Sequence, residues 1–279
     1  MTELRLTGEG LAPNRPVPRA VAGDKGFHDR VMGWYGIIAF LLLWQIAPYV
    51  GLADGRFIPP LSEVVTDALK LVASGQIFIH AATSAQRVLL GLIAAIAVAI
   101  PSAMVLAGWF PRLTKFLNPL LQLLGNVNPF ALFPLFILLF GVGELAKFAI
   151  IFWSSLFPIL NTAISGVRNI DPILIKAARS MGASKAVIFR KVVLPAALPS
   201  IFTGLRMGAT TAFLFLIAAE MLSASAGMGW LIHNSSMNNY IPRIYVGVVG
   251  IALLGMLMIL LLNKLEAYFL DFKEEVKLG

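Results

Sequence analysis

The sequence predicts an all-α, polytopic membrane protein, and its composition and long apolar runs carry that prediction. Of the 279 residues, 58% are hydrophobic and 13% are charged, and the mean hydropathy is +0.84. A soluble globular chain is about one quarter charged, because its surface has to face water. Runs of about 20 apolar residues, the length that crosses the hydrocarbon core of a bilayer, recur along the whole chain. We therefore expect an integral membrane protein.

Six of these runs are predicted to be transmembrane helices. Trp34 and Tyr49 lie near the ends of the first run, where amphipathic aromatic rings favour the membrane interface. Pro101 is expected to kink the second, and Pro129 and Pro134 interrupt the third. The predicted spans cover residues 32–52, 87–110, 116–141, 145–166, 199–222 and 244–270.

The segment between the first two runs predicts a helix that does not cross the membrane. It follows Pro59 and Pro60, and its apolar residues recur at positions i, i+3, i+4 and i+7, with charged residues on the other faces. Such an amphipathic helix lies on the membrane or on the protein. Its predicted apolar face consists of Leu61, Val64, Val65, Ala68, Leu69 and Val72.

The distribution of Lys and Arg predicts the orientation. If the N-terminus lies in the cytoplasm, so does the loop with Arg112 and Lys115, and so does the loop after the fourth span. That second loop contains six basic residues and only one acidic residue, Asp171. Cytoplasmic loops of membrane proteins carry this excess, so both termini are expected in the cytoplasm, with residues 1–31 as a tail. The net charge of +8 therefore reflects orientation rather than nucleic-acid binding.

Several kinds of site are excluded by the sequence. There is no cysteine, so no disulfide or thiolate metal site can form, and the three histidines lack the spacing of metal ligands. No G-x-x-x-x-G-K-[ST] motif occurs, so the chain does not bind nucleotide phosphates by that mechanism. We expect neither a metal nor a cofactor in this chain.

The loop between the fourth and fifth spans, residues 168–199, is the most informative segment. Asp171 is expected to cap a short helix that begins at Pro172, and Gly182 to end it in the left-handed conformation. A second amphipathic helix is predicted to end at Leu194-Pro195, and Pro199 to open the fifth span. The apolar face predicted for the first helix consists of Ile173, Leu174, Ala177, Ala178 and Met181.

This loop resembles the EAA loop of binding-protein-dependent ABC importer permeases. The family pattern is an acid and two alanines, a glycine four residues after the second alanine, and, ten residues later, a branched aliphatic residue before x-Leu-Pro. Lys176 stands where the family often has Glu. The matching loop positions are Lys176, Ala177, Ala178, Gly182, Ala183, Val192, Leu194 and Pro195.

Further motifs extend the resemblance over about residues 60–270, and they are most similar to the branch that imports nitrate, sulfonates, taurine and similar small anions. Phe213 and Met228 stand where Trp and Leu are common. The residues that carry it are Ser84, Arg87, Gly91, Pro129, Ala131, Pro134, Leu135, Phe140, Gly141, Gly204, Leu205, Arg206, Glu220, Met221, Gly227, Met228 and Gly229.

The resemblance implies a type I ABC importer permease fold of six transmembrane helices in a bacterial inner (plasma) membrane, with a cytoplasmic coupling-helix loop. Residues 32–279 would form the permease domain, with the family core at about 80–270. The implied function is a translocation pathway for a small, anionic solute. The implied partners are two copies of a cytoplasmic ATPase that holds ATP and Mg, a periplasmic or lipid-anchored solute-binding protein, a second copy of this chain, and lipid.

Polar residues inside the spans are candidates for the pathway, because polar groups in hydrocarbon are costly. The alternative is interhelical hydrogen bonding, worth about 0.6–2 kcal/mol each. For Arg206 the alternatives are that its side chain extends to the membrane interface or forms an intersubunit ion pair. For Glu220 the alternatives are a structural salt bridge or a contact to the binding protein. The candidates are Asn126, Asn128, Ser155, Asn161, Arg206, Thr210 and Glu220.

Two other classes of function remain as alternatives. An ion-coupled secondary transporter needs intramembrane carboxylates or inverted repeats, and only Glu220 qualifies. An intramembrane enzyme needs paired acids, a nucleophile with its base, or metal ligands within the spans. No convincing set of this kind occurs in the sequence.

Overall fold

The computed structural model describes residues 27–270, with side chains from Tyr35 onward, and within that range every regular element is helical. The all-α prediction is confirmed. Two five-residue π turns, Val105–Trp109 and Phe189–Val193, follow α3 and α8. The α-helices are α1 Phe27–Ile46, α2 Leu61–Ala73, α3 Gln76–Met104, α4 Pro111–Asn126, α5 Pro129–Phe140, α6 Glu144–Arg168, α7 Pro172–Ser180, α8 Lys185–Ile188, α9 Leu194–Ser223, α10 Met228–Met237 and α11 Ile241–Leu270.

Four continuous helical segments are long and apolar enough to cross a membrane, and they match four of the six predicted spans. They are Gln76–Trp109, Glu144–Arg168, Lys185–Ser223 and Ile241–Leu270. Within the first predicted span, the part of the chain described with side chains forms an apolar helix over Tyr35–Ile46, and the chain turns after α1. With the broken third span counted as one, the described residues contain up to five spans.

The third predicted span is broken into α4 and α5, which meet at 86°. Val127 and Asn128 between them are extended, as expected before Pro129, whose ring disfavours helical geometry at the residue before it. Asn128 caps α5, since its side chain accepts a hydrogen bond from the Phe130 N–H at 3.0 Å. The break that the sequence predicts is therefore a sharp bend between two helices.

Two predicted boundaries are wrong. α3 begins at Gln76 rather than at residue 87, directly after Gly75, whose φ of +75° turns the chain from α2 into α3. The predicted break at Leu194-Pro195 does not occur, and one helical segment runs from Lys185 to Ser223. Pro195 follows the π turn, where the i→i−4 hydrogen-bond pattern is already interrupted, so its missing N–H does not end the helix.

The amphipathic helix predicted before α3 is confirmed as α2, but its inward face differs from the predicted one. α2 buries Val64, Leu71 and a charged residue, Asp67, whereas Val65 and Leu69 are exposed. The carboxylate of Asp67 forms an ion pair with Arg243 in the first turn of α11. A buried ion pair, which a hydrophobicity pattern cannot detect, therefore sets the rotation of α2.

The centre of the bundle is formed by α3, α6 and α9, which share the larger apolar core. Glycines allow these helices to approach closely. A Cβ on Gly208 of α9 would lie 2.8 Å from the Ile159 side chain and 3.2 Å from the backbone oxygen of Ser155, both on α6. A smaller apolar cluster joins α2, α10 and α11.

The bundle has two distinguishable ends. At one end, called the α7 end, α7 and α8 connect the last turn of α6 to the start of α9. At the other, called the α10 end, α10 connects the last turn of α9 to α11.

The contact between α6 and α9 leads to a stability prediction. Gly208→Leu is expected to lower the free energy of unfolding by about 1–3 kcal/mol, because the side chain has no space against the α6 backbone. Gly255→Leu on α11 is the matched control, since a Cβ there meets nothing within 4 Å. Unfolding in mixed micelles, followed by tryptophan fluorescence, measures both. Equal destabilisation of the two variants would contradict the close contact.

Candidate coupling loop and transport pathway

The loop between α6 and α9 begins with a tightly terminated helix, α7. The Asp171 side chain accepts a hydrogen bond from the Ile173 N–H at 2.8 Å. At the other end, the N–H of Gly182, whose φ is +76°, donates to Arg179 O at 2.9 Å, and the N–H of Ala183 donates to Ala178 O at 3.1 Å. This pair of hydrogen bonds is a Schellman motif. The predicted cap and the predicted glycine termination are confirmed.

The two faces of α7 differ from the single apolar face predicted. Ala178 is only 5% exposed and packs into the core of this chain, so it attaches α7 to the bundle and is not available to a partner. The outward side carries large apolar side chains, with Ile173 68%, Leu174 51% and Met181 80% exposed. Together with the exposed Ala177, these residues form what we call the α7 surface.

The remaining loop positions also divide between inside and outside. Lys176 and Gly182 are exposed, whereas Ala183, Val192 and Leu194 pack partly against the core. Pro195 is also partly buried and lies at the start of α9. The rings of Phe189 and Trp109 stack with 5.2 Å between their centroids, which joins the two π turns. The second half of the motif therefore fixes the loop to α3 and α9.

The bend between α4 and α5 borders a cavity of about 330 Å³. Asn126 and Asn128 both line it, as the pathway prediction requires, and the opposite wall comes from α6 and α9. The indole Nε1 of Trp153 is buried and has no hydrogen-bond partner among the described residues. We call this space the bend cavity; its lining residues are Gly125, Asn126, Val127, Asn128, Pro129, Trp153, Ser154, Phe157, Pro158, Thr211 and Phe215.

A second polar cavity of about 270 Å³ lies between α6 and α9, nearer the α7 end. Asn161 lines it, as do Thr162, Ser165, Ser200 and Thr203. The sequence reasoning selected only Asn161 from this group. Two spacings could have revealed three of the others, since Asn161 and Ser165 lie four residues apart and Ser200 and Thr203 three apart, which places each pair on one helix face.

Three other pathway candidates make contacts within the chain. The Ser155 hydroxyl donates to Gly208 O at 3.1 Å, which joins α6 to α9. The Thr210 hydroxyl donates to Arg206 O of its own helix at 2.8 Å. Arg206 forms an ion pair with Glu266 of α11, so its partner belongs to the same chain. The contacts of Ser155 and Arg206 fit the interhelical alternative to a pathway role, and the Thr210 contact lies within α9.

The last candidate, Glu220, is a fully buried carboxylate at the α10 end. It accepts hydrogen bonds from the Ser84 hydroxyl at 2.8 Å, the Gly229 N–H at 2.8 Å and Arg87 Nη1 at 2.7 Å. The Ser84 oxygen in turn accepts from the Met228 N–H at 2.8 Å. The carboxylate oxygens of Glu220 are thus hydrogen-bonded by groups from α3 and α10, and Arg87 balances their negative charge. We call these residues the Glu220 cluster.

Glycines make the close packing around Glu220 possible. A Cβ on Gly229 would lie 2.8 Å from the Glu220 Cβ. Gly227 has a φ of +123°, a conformation that favours glycine, and its N–H donates to His80 Nδ1 at 3.2 Å. Motifs that stand far apart in the sequence therefore form one site. The sequence offered no sign that they meet.

Arg87 also contacts a second carboxylate, Glu144, at the start of α6. Its Nε and Nη2 atoms each lie 2.7 Å from a Glu144 oxygen, and Lys147 Nζ lies 2.7 Å from the same carboxylate. The sequence analysis selected neither Glu144 nor Lys147 as a site residue. Their spacing of three residues on one helix is the signal that could have paired them.

A separate ion pair at the α10 end holds α2 in place. Asp67, 2% exposed, accepts hydrogen bonds from the Tyr240 hydroxyl at 2.9 Å and from Arg243 Nε at 3.1 Å. The hydrogen bond to this carboxylate raises the pKa of Tyr240 above its usual value. The guanidinium of Arg243 also lies 4.6 Å from the centre of the Tyr240 ring.

No group of three or more His, Asp or Glu side chains within the described residues is arranged to hold a metal ion. The titratable groups at the α10 end instead pair with one another.

Comparisons with known proteins agree with this architecture. The chain matches the family described as "Binding-protein-dependent transport system inner membrane component" over residues 86–270. It is 32% identical to the taurine transport system permease protein TauC of Escherichia coli over 249 residues, covering 87% of this chain and 90% of that protein. It is 34% identical to the bicarbonate transport system permease protein CmpB of Synechocystis sp. over 236 residues, covering 80% of this chain and 83% of that one.

The fold is also similar to a chain of the MetNI methionine ABC transporter, solved in an inward-facing conformation. The TM-score is 0.60 at 16% identity, over 71% of this chain and 97% of that chain. The members of this family are components of binding-protein-dependent transport systems. This decides against the ion-coupled secondary transporter and the intramembrane enzyme. The chain belongs to the binding-protein-dependent inner membrane components, the permease subunits of type I ABC importers.

Proposed function

We propose that this permease carries a small anionic solute through the bend cavity. The observation that supports it best is the character of the cavity wall, where the side-chain amides of Asn126 and Asn128 lie beside the hydroxyl groups of Ser154 and Thr211. No carboxylate occurs among the cavity's lining residues, so nothing there repels an anion. The similar permeases are named for taurine and bicarbonate, and both solutes carry an oxoanion group.

Neutral donors suit a pathway better than fixed cations do. Conduction requires binding that is favourable enough for the solute to enter and weak enough for it to leave. A volume of about 330 Å³ lies at the small end of the range for ligand pockets, which fits a solute of a few heavy atoms. Asn126 is exposed at the mouth of the bend, where its amide N–H can reach an oxoanion.

The cavity is one half of the pathway. Asn126 and Asn128 are exposed in the single chain, and a second copy related by a two-fold axis would enclose the solute between two such bends. The functional unit is therefore a homodimer surrounded by lipid. Each copy engages one ATPase subunit, and ATP and Mg are bound by those subunits.

The α7 surface is the docking site for the ATPase. Large apolar side chains on so short a helix are costly in water and suit a groove of a partner protein. The alternative is a helix lying on anionic lipid, which its basic residues would also suit. The two hydrogen-bonded ends and the inward Ala178 favour docking, because they connect α7 rigidly to α6 and α9. A rigid helix can transmit the movement of the ATPase to the spans.

The α7 end then faces the cytoplasm, and the α10 end faces the solute-binding protein. The supporting observation is the excess of Lys and Arg in the loop from residue 168 to residue 193.

The orientation can be tested by cysteine labelling, because the chain has no cysteine of its own. Lys185→Cys at the α7 end is expected to react with a membrane-impermeant maleimide only in inverted vesicles. Ser74→Cys, exposed at the α10 end, is expected to react only from outside intact spheroplasts. The opposite pattern would reverse the proposed orientation.

The pathway can be tested by replacing Asn126, which makes no cap. Losing a hydrogen bond to a charged group costs about 1.5–3 kcal/mol, so Asn126→Leu is expected to reduce uptake by about tenfold or more. Gln122→Leu, on the same helix but outside the cavity, is the control. Uptake of radiolabelled taurine and bicarbonate by reconstituted complex is measured, together with basal ATP hydrolysis. Normal uptake by the Asn126 variant would contradict the proposed pathway.

Coupling can be tested at Gly182, where a Cβ meets open space but the backbone is left-handed. That conformation costs an L-residue roughly 1–2 kcal/mol, so Gly182→Val is expected to disrupt the end of α7. ATP hydrolysis stimulated by loaded binding protein is then expected to fall by about tenfold or more, or the ATPase to be lost on purification.

The matched control is Gly51→Val, which has the same strain at a φ of +75°, also in open space, and lies outside the loop. It is expected to leave ATPase copurification and stimulated hydrolysis unchanged. If the Gly182 variant behaves like the Gly51 variant, the α7 surface is not the coupling element.

A further inference from the structure

Glu144 and Glu220 contact the same arginine but are held in different ways. Glu220 is fully buried and is fixed by a hydroxyl, a backbone N–H and Arg87. The Glu144 side chain is 64% exposed, and its only hydrogen-bond partners among the described residues are Arg87 and Lys147. Glu220 is thus part of the structure, whereas Glu144 covers the exposed side of two cations.

The side chains of those two cations are themselves largely buried. The side chains of Arg87 and Lys147 are 10% and 3% exposed, and Lys147 Nζ has Glu144 as its only ion-pair partner within residues 35–270. A buried ammonium without an opposite charge is strongly destabilising. If Glu144 moves away, an anion that takes its place beside Lys147 would restore the opposite charge.

The geometry around the Glu144 carboxylate fits an oxoanion. The Nε and Nη2 atoms of Arg87 contact its two oxygens at 2.7 Å, and Lys147 Nζ contacts one of them from a second direction. A guanidinium fork combined with an ammonium group suits carboxylate, sulfonate or phosphate oxygens. The first turn of the 25-residue helix α6 adds favourable positive potential.

The charges define what the site can accept. With Glu144 in place, Arg87 and Lys147 are balanced by Glu144 and Glu220. Without Glu144, one positive charge remains, which matches a monovalent anion. The segment before Glu144 contains Gly141 and Gly143, and a Cβ at either position would meet nothing within 4 Å, so there is open space beside this segment.

We propose that Arg87 and Lys147 form a binding site for a monovalent oxoanion at the α10 end, and that Glu144 occupies this site when the anion is absent. The identity of the anion as the transported solute rests on the proposed function. The same chemistry would accept the phosphate of a lipid headgroup. In both cases binding requires that Glu144 be displaced.

The test uses the full chain in phosphatidylcholine nanodiscs with methanesulfonate as the probe, compared with chloride at equal ionic strength. Glu144→Gln removes the competing carboxylate and keeps its size, so calorimetry is expected to show methanesulfonate binding about tenfold tighter than in the unmodified chain. Lys147→Met in the Glu144→Gln background is expected to abolish that binding. Glu63→Gln removes one exposed acid elsewhere at the α10 end and is expected to change nothing.

The source of the oxoanion is distinguished with phosphatidylglycerol nanodiscs. Binding that survives there assigns the site to a soluble anion, and binding that disappears assigns it to the headgroup phosphate. If Glu144→Gln leaves methanesulfonate binding unchanged, or changes it no more than Glu63→Gln does, the site does not exist. A loss of uptake in Asn126→Leu alongside that result would leave the proposed function intact.

Discussion

Close backbone contact between α6 and α9 is the constraint on which the rest of this structure depends. Gly208 on α9 lies against Ser155 and Ile159 of α6, and the Ser155 hydroxyl completes the contact with a hydrogen bond to the glycine carbonyl. In a bilayer, helices gain little from burying apolar surface, so small residues and interhelical hydrogen bonds provide the association. Because the two helices are joined along their length, the loops at both of their ends have fixed positions.

The two ends of this helix pair carry different chemistry. At the α7 end, hydrogen-bonded caps and the inward Ala178 fix a short helix whose outer side is apolar, which suits a partner protein. At the α10 end, Glu220 and its ligands join α3, α9 and α10, and Arg87 extends this contact to Glu144 on α6. A change in the angle between α6 and α9 would therefore move the residues at both ends. An importer needs such a connection if ATP hydrolysis and solute delivery are to be linked.

The bend cavity shows why a broken helix is tolerated between these ends. Backbone groups released by a break have to face protein or water, since lipid offers no hydrogen bonds. Asn128 satisfies one freed N–H of α5. The Trp153 N–H remains without a partner among the described residues. An unpaired buried donor of this kind is costly, and no contact within the described residues compensates for it.

By itself, the sequence determined the class of the protein, the approximate positions of most spans, the capped helix α7 and the family resemblance. These follow from local properties, namely apolar length, cap residues and motif spacing. Only the tertiary structure decided that Ala178 faces inward, that Asp67 sets the rotation of α2 and that Glu144 shares Arg87 with Glu220. Each depends on a contact between residues distant in the chain, and neither periodicity nor motif spacing contains information about which distant residues meet.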